Sequence, residues 1–125
     1  MVYWITGKSS AGKTVYAYRL KKHLESEGQR VFLLDSDEVR DYNGLNDFSE
    51  DARERHIMNV SRFASLAEKQ GFTVIVAIIS PKKEWRMRAR KLFKESMLIY
   101  MPGGFLWEDT EYEEPDTEEM MCGGV

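Results

Sequence analysis

The chain is organised around Gly7-Lys8-Ser9-Ser10-Ala11-Gly12-Lys13-Thr14, which fits the pattern G-x-x-x-x-G-K-[ST] at every fixed position. A short apolar run at residues 2–5 precedes this stretch, and residues 14–27 after it have the composition of a helix. A strand, a glycine-rich turn and a helix in this order form the setting in which the pattern binds phosphate. The stretch therefore predicts a phosphate-binding loop, or P-loop, in an α/β fold.

The chemistry expected of this loop follows from its residue types. Its glycines allow backbone conformations closed to other residues, so successive N–H groups of the eight residues can point at phosphate oxygens. Lys13 would neutralise the β- and γ-phosphates, and the Thr14 hydroxyl would ligate Mg²⁺. ATP and Mg²⁺ are therefore the expected ligands. The alternative is a glycine-rich turn that binds nothing.

Length, charge and cysteine content narrow the class of protein. The 125 residues carry a formal net charge of −3, which argues against general nucleic-acid binding. Cys122 is the single cysteine, so we expect no intrachain disulfide and no cysteine metal cluster. The first apolar run begins at residue 2, and no run approaches the ~20 residues of a membrane span. We expect a cytoplasmic protein without a targeting peptide or a membrane partner.

Apolar runs and amphipathic stretches alternate along the chain. Strands are predicted at residues 2–5, 31–34, 72–79 and 97–101, and helices at 14–27, at 50–70 and from Ser80-Pro81 into a basic segment. The second and third strands are continuously apolar, which indicates burial on both faces. Alternation of this kind predicts a P-loop NTPase with three α/β/α layers and a mostly parallel sheet of four to five strands. We predict a single kinase domain over residues 1–125, with 116–125 as a flexible tail.

Asp35 and Asp37 follow the second strand, two residues apart, where both carboxylates can reach the space above the P-loop. Phosphoryl transfer needs a carboxylate to hold Mg²⁺ and often a second one to accept the proton of the substrate hydroxyl. The third strand ends in Ser80, so it supplies no acid at the corresponding place. The alternative is that Asp35-Ser36-Asp37 only caps a following helix.

Charge is unevenly distributed in the second half of the chain. Seven basic residues lie between Lys82 and Lys94, no basic residue follows Lys94, and eight acids lie between Glu108 and Glu119. These patterns are typical of a solvated helix face and an acidic tail. A second interpretation is that the tail folds back on the basic helix and competes there with anionic ligands.

Four stretches follow one another in a specific order. They are the P-loop, Leu34-Asp35-Ser36-Asp37-Glu38-Val39-Arg40, Phe48-Ser49 followed by Arg53, and Ile79-Ser80-Pro81 followed by Arg86 and Arg90. The set resembles the adenylylsulfate kinase family, which carries DGD-x-[IV]-R, FS-x-x-D-R and ISP-x-x-x-x-R at similar spacing. The resemblance covers about residues 2–100, and Tyr112-Glu113-Glu114-Pro115 is similar to the late Y-E-x-P element of the family. It implies a kinase that phosphorylates the 3′-hydroxyl of adenylylsulfate with ATP.

The resemblance also implies roles for individual residues. Lys13, Asp35 and Asp37 would be catalytic, with Thr14 and Asp37 on the metal side. The substrate-binding residues would hold anionic groups, stack on the adenine or close the acceptor pocket; they are Arg40, Phe48, Arg53, Ser80 and Arg86. Phe48 has the alternative of a core position, and Arg53 that of a surface ion pair.

The sequence departs from the family pattern at several places. Ser36 replaces a glycine, His56 stands where an asparagine follows the arginine, and Ala52 stands where an aspartate precedes it. The basic lid segment expected between the fourth strand and Tyr112 is replaced by residues 102–107, and a fifth strand is not evident. Because phosphoryl transfer commonly uses a cation beyond the P-loop lysine, we expect Arg53, Arg86 or Arg90 to supply it. The alternative is that these arginines pair with the acidic tail.

The leading interpretation is an ATP-dependent kinase that transfers the γ-phosphoryl group to a hydroxyl, on adenylylsulfate or a related nucleotide. Two others stay open: a kinase for another nucleotide or a polynucleotide end, and a nucleotide-binding module without turnover. We expect a nucleotide or another small molecule as the acceptor, no nucleic-acid partner, and a homodimer as one possible assembly.

Overall fold

A computed structural model describes residues 1–36, 49–106 and 111–121. Strands and helices alternate as expected, in the chain order β1 (Val2–Gly7), α1 (Lys13–Ser26), β2 (Val31–Asp35), α2 (Glu50–Lys69), β3 (Thr73–Ala77), α3 (Lys83–Arg90), β4 (Ser96–Met101) and α4 (Thr117–Met121). No helix in these three ranges has both the length and the apolar character that crossing a membrane requires.

The sheet of the described residues has four parallel strands in the order β2-β3-β1-β4. Asp35 of β2 is level with Ala77 of β3, and Gly7 of β1 is level with Met101 of β4. The carboxyl ends of all four strands therefore meet at one rim, where ligands bind in parallel α/β sheets. The predicted three-layer α/β class with a parallel sheet is confirmed.

Helices cover both faces of the sheet. On one face, α2 and α3 pack through Ile57, Val60, Ala64 and Trp85 onto side chains of the sheet that include Trp4. On the other face, α1 packs through Ala17 and Leu24 onto a smaller cluster around Ile5 and Ile75. The apolar face predicted for the helix at residues 50–70 is buried as expected, because Ile57, Val60, Ala64 and Ala67 all lie in the core.

The second strand is less buried than its composition predicts. Phe32 is 42% exposed, and Val31 and Leu33 are only partly buried. The reason is its place at the end of the strand order, where β3 is its neighbour in the sheet. The expectation that this strand is buried on both faces was wrong.

Two other boundaries differ from the prediction. The third helix begins at Lys83, and not at Ser80-Pro81, because Ser80 has a φ of 41° and Lys82 is extended. The segment predicted as a flexible tail contains α4, in which Glu119 is 1% exposed. Residues 116–121 therefore fold against the domain, and residues 122–125 lie outside the described ranges.

Candidate active site

The P-loop connects β1 to α1 in an open arc of backbone. Ser10 and Gly12 have φ values of 60° and 92°, in the left-handed region that glycine adopts readily and serine seldom. Left-handed residues in a turn of this kind can direct neighbouring N–H groups to one side, which suits the loop to bind an anion. Helix α1 begins immediately afterwards at Lys13, so its N-terminal N–H groups face the same space.

Lys13 lies across this loop. Its Nζ donates a hydrogen bond of 2.6 Å to the carbonyl oxygen of Lys8. The ammonium group therefore lies over the loop, where a phosphate oxygen can replace or join that carbonyl.

The Thr14 side chain contacts the carboxyl end of strand β2. Its Oγ1 donates a hydrogen bond of 2.8 Å to Oδ2 of Asp35, which is 5% exposed at the end of β2. A hydroxyl and a carboxylate oxygen so placed are hard ligands of the kind Mg²⁺ prefers. Since Mg²⁺ usually keeps waters and phosphate oxygens as its other ligands, it needs no larger cluster of acids. Within the three described ranges there is none: no three His, Cys, Asp or Glu side chains group as a metal site.

A cavity of about 510 Å³ opens above the loop. Its floor is made by Ser9, Ser10, Gly12, Lys13 and Thr14. The remaining walls come from the ends of β2 and β3, from α2 and from the segment after β4; they are Asp35, Ser36, Arg53, His56, Ile57, Ala77, Ile78, Ile79, Ser80, Pro81, Phe105 and Leu106, together with Val15. The volume is within the range of small-molecule sites.

The structure brings most of the predicted site residues together. Lys13, Thr14, Asp35, Arg53 and Ser80 all line the cavity, and Gly7, Lys8 and Ala11 belong to the same loop backbone. Three predicted site residues lie outside the described residues. They are Asp37, predicted as a base or metal ligand, and Arg40 and Phe48, predicted as substrate contacts.

Arg86 and Arg90 lie elsewhere. Arg86 is fully buried behind the cavity wall, where its Nε donates to Glu119 Oε1 at 2.7 Å. Arg90 is 5% exposed, and its Nη1 donates to the carbonyl oxygen of Glu119 at 3.3 Å. The direct substrate contact predicted for Arg86 is therefore not seen, because its guanidinium is enclosed by the folded-back tail. The alternative interpretation, pairing with the acidic tail, describes Arg86, whereas Arg90 contacts the tail through a backbone carbonyl.

Two features of the cavity were not predicted. Ser36 Oγ and His56 Nε2 are 2.8 Å apart, so two of the positions that depart from the family pattern contact each other. The segment after β4 is attached to the P-loop, because the N–H of Phe105 donates to the carbonyl of Ser9 at 2.9 Å. The separate departures at residues 36 and 56 were a signal for the first contact, but nothing in the sequence paired them.

The cavity wall at Ser80 is supported by a buried polar network. Trp4 Nε1 donates to Ser80 Oγ at 3.1 Å, and Ser80 Oγ donates to Thr6 Oγ1 at 3.0 Å. The hydroxyls of Thr6 and Tyr112 are 2.9 Å apart. Burial raises the pKa of Tyr112 to about 12, although the Thr6 hydrogen bond and the Arg86 charge lower it. The Tyr112 hydroxyl therefore keeps its proton at neutral pH.

A parallel sheet with a P-loop, a Thr–Asp pair beside the loop and an adjoining cavity are the features of a P-loop NTPase. A sequence profile of the family described as adenylylsulphate kinase matches residues 1–105. The chain belongs to the adenylylsulphate kinase family.

Individual relatives agree with this assignment. A probable adenylyl-sulfate kinase of Archaeoglobus fulgidus is 37% identical over 96% of this chain and 93% of its own length. The adenylyl-sulfate kinase of Burkholderia ambifaria is 43% identical over 78% of this chain, which spans about half (55%) of that relative. The solved Mycobacterium tuberculosis APS kinase in complex with AMPPNP and APS is 29% identical and superposes with a TM-score of 0.75 over 81% of this chain and 61% of its own.

Proposed function

We propose that this chain transfers the γ-phosphoryl group of ATP to the 3′-hydroxyl of adenylylsulfate. The observation that carries the proposal is the 2.8 Å hydrogen bond from Thr14 to Asp35, which joins the P-loop to the end of β2 at the floor of the cavity. The family resemblance and the relatives named adenylyl-sulfate kinase support the choice of acceptor. In the reaction, the acceptor hydroxyl loses its proton, its oxygen bonds to the γ-phosphorus, and ADP leaves.

The donor side is formed by the P-loop. Its N–H groups and the α1 N-terminus would hold the β- and γ-phosphates, with Lys13 neutralising their charge. Thr14 and Asp35 would hold Mg²⁺, which would neutralise negative charge on the phosphates of ATP. Because Asp35 contacts Thr14 directly, we assign Asp35 to the metal side, where the family resemblance implied Asp37. We leave the proton-accepting role to Asp37.

The acceptor side is the part of the cavity beyond the phosphates. Arg53 of α2 and the wall formed by Ile79, Ser80 and Pro81 line the cavity away from the P-loop sequence, and we assign them to the acceptor side. Among the described residues that line the cavity, Lys13 and Arg53 are the lysine and arginine side chains. Since Arg86 and Arg90 are enclosed by the tail, we propose that Arg53 supplies the additional positive charge that stabilises the transferring phosphoryl group.

The test is the release of ADP with Mg²⁺ and ATP, in the presence and absence of adenylylsulfate. We expect adenylylsulfate to raise the rate and Lys13→Ala to lower it by about tenfold or more, since a charged hydrogen bond contributes ~1.5–3 kcal/mol. A rate raised only by another nucleotide, or by an oligonucleotide with a free hydroxyl end, would identify a different acceptor. ATP binding without turnover on any of them would identify a nucleotide-binding module.

A further inference from the structure

Three consecutive carbonyl oxygens in the cavity wall are each held by a donor from a different part of the chain. The carbonyl of Ile79 accepts from Thr6 Oγ1 of β1 at 2.5 Å. The carbonyl of Ser80 accepts from Arg86 Nη1 of α3 at 2.8 Å. The carbonyl of Pro81 accepts from the N–H of Glu113 at 2.7 Å. The backbone of residues 79–81 is thus held in place by hydrogen bonds to its three carbonyl oxygens.

This part of the wall has an unusual conformation. Ser80 is 1% exposed and has a φ of 41°, which is sparsely populated for a residue with a Cβ. Such a conformation persists where its surroundings over-determine it, and it is found preferentially at ligand sites. The hydrogen bonds to the three carbonyls therefore help to hold the wall in this shape, together with the bonds of the Ser80 hydroxyl to Trp4 and Thr6.

One of the three donors, Arg86, is itself held by residues 111–121, which we call the return segment. Besides the bond to Ser80, its guanidinium donates from Nη2 to the carbonyl of Glu113 at 2.7 Å. Its Nε and Nη2 donate to the two carboxylate oxygens of Glu119 at 2.7 and 3.1 Å. Both side chains of this pair are 0% exposed. The rigid fork of arginine thereby connects Glu119 to the Ser80 carbonyl through one planar group.

A buried ion pair is not explained by stability alone. Desolvation of two charges can exceed their attraction, and apolar residues of similar volume often stabilise a protein equally well. An arginine–carboxylate pair also fixes the orientation of the guanidinium, because its N–H donors lie in one plane and two of them bond to the carboxylate. In this structure, one of the N–H groups of the Arg86 guanidinium donates to the carbonyl oxygen of Ser80 in the cavity wall.

We infer that Glu119 is a positioning residue for the acceptor: it orients Arg86, which holds the Ser80 wall against the acceptor side of the cavity. The return segment would then affect the binding and reaction of the acceptor, and the binding of ATP at the P-loop would be unchanged. The inference rests on the proposed function for the identity of the acceptor, but the mechanical link between Glu119 and the wall does not depend on that identity.

The test compares Glu119→Gln with a matched control. The glutamine keeps the size of the side chain and removes the charge that orients Arg86. The control, Lys83→Gln, removes the ion pair between Lys83 and Asp116, which connects the same two segments at 2.7 Å with both side chains exposed. Arg86→Lys, which keeps the charge and loses the fork, is the second variant. All are assayed well below their unfolding temperatures.

For Glu119→Gln and Arg86→Lys, we expect kcat/KM for adenylylsulfate to fall about 10–100-fold, since small misplacements at an active site have effects of this size. The KM for ATP should stay within about twofold, as should every parameter of Lys83→Gln, because surface pairs contribute little. Equal changes in the ATP and acceptor parameters would overturn the inference, because they would indicate general loosening. Wild-type acceptor kinetics in a variant with a lowered Tm would also overturn it.

Amide hydrogen exchange tests the link without catalysis. In Glu119→Gln, the amides that donate hydrogen bonds around the wall should exchange about tenfold faster or more, while those of β1 and β3 keep their protection. The amides around the wall are the N–H groups of Ile78, Arg86 and Glu113. Unchanged exchange at these three amides would refute the positioning role. If the wild type turned over no acceptor, the proposed function would have failed, and the exchange experiment would still decide this inference.

Discussion

At the residue scale, the Thr14 hydroxyl and the Asp35 carboxylate meet although they belong to different elements. Thr14 is in the first turn of α1, and Asp35 is the last residue of β2. Their 2.8 Å hydrogen bond holds an oxygen ligand from each element at the floor of the cavity. Sequence reasoning placed Thr14 and Asp35 at the same rim, because the P-loop fixes the position of Thr14 and the parallel sheet fixes the rim that Asp35 occupies. It paired Thr14 with Asp37 as the metal-side residues and did not predict the contact with Asp35.

If Asp35 serves the metal, Asp35→Asn should weaken the apparent Mg²⁺ affinity by about 10–100-fold, the range seen when groups around a metal are removed. The asparagine oxygen can still accept from Thr14, so the Tm should change little. The measurement is turnover as a function of Mg²⁺ at saturating ATP. Asp51→Asn, on an exposed carboxylate of α2, is the control. An unchanged Mg²⁺ dependence for Asp35→Asn would indicate that this carboxylate does not bind the metal and only caps the following segment.

The contact between Ser36 and His56 is the second residue-scale feature. Both positions depart from the family pattern, and the two side chains are 2.8 Å apart in the cavity wall. This contact could not be read from the sequence, because the two residues belong to different elements and neither position specifies the other. It indicates that the two departures form one local rearrangement of the wall.

A double-mutant cycle tests this interpretation. Ser36→Gly and His56→Asn should each lower the free energy of unfolding, and together they should show a coupling of about 0.5–3 kcal/mol. Urea unfolding of the single and double variants measures the coupling. The control pairs Ser36→Gly with Thr73→Val at the amino end of β3, where effects should add within ~0.5 kcal/mol. Additivity of Ser36→Gly and His56→Asn would show that the two departures are independent.

At the element scale, the segment after β4 is joined to the P-loop. Gly104 has a φ of 77°, and a Cβ on it would lie 2.3 Å from the carbonyl oxygen of Ser9. The next residue, Phe105, donates its N–H to that same carbonyl at 2.9 Å and lines the cavity. Sequence reasoning identified this segment as the replacement for a basic lid but did not predict its attachment to the loop, since two stretches nearly a hundred residues apart give no local signal of contact.

Gly104→Ala should therefore weaken ATP binding by about tenfold or more, equivalent to ~1.4 kcal/mol, because the added methyl group must displace the loop backbone. Gly103→Ala is a matched control: its φ is 92°, and a Cβ there meets nothing within 4 Å. Both variants carry the backbone strain of a left-handed residue, ~1–2 kcal/mol, and only one disturbs the loop. Calorimetric titration with ATP separates them. Equal affinities would show that the segment does not shape the donor site.

At the scale of the whole molecule, sequence reasoning was most successful where a rule connects chain order to space. Alternating strands and helices predicted the parallel sheet, and the carboxyl-end rule placed Lys13, Asp35 and Ser80 at one cavity. It failed for β2, because alternation does not specify which strand is at an edge. It also failed for α4, a helix of five residues without a periodic pattern. Burial of Glu119 on Arg86 depends on an ion pair that composition alone could not distinguish from an exposed one.

Tyr112 connects the return segment to the sheet, through Thr6 of β1 and by stacking on Tyr100 of β4 with ring centroids 6.3 Å apart. Its pKa is raised from 10 to about 12, chiefly by burial. The folded state therefore binds this proton more tightly than the unfolded state. The resulting stability is fully present below pH 10 and is lost as the pH rises through 12.

Tyr112→Phe should remove the part of the stability loss at alkaline pH that comes from the Tyr112 hydroxyl. Between pH 10 and 12, the range set by the unfolded and folded pKa values, the free energy of unfolding of the wild type should fall more steeply than that of the variant. The difference should reach at most about 1.4 kcal/mol per pH unit, the slope for one proton. Urea unfolding at several alkaline pH values measures both slopes. Parallel curves for the wild type and Tyr112→Phe would mean that the Tyr112 hydroxyl titrates alike in both states, and that it does not hold the return segment to the sheet.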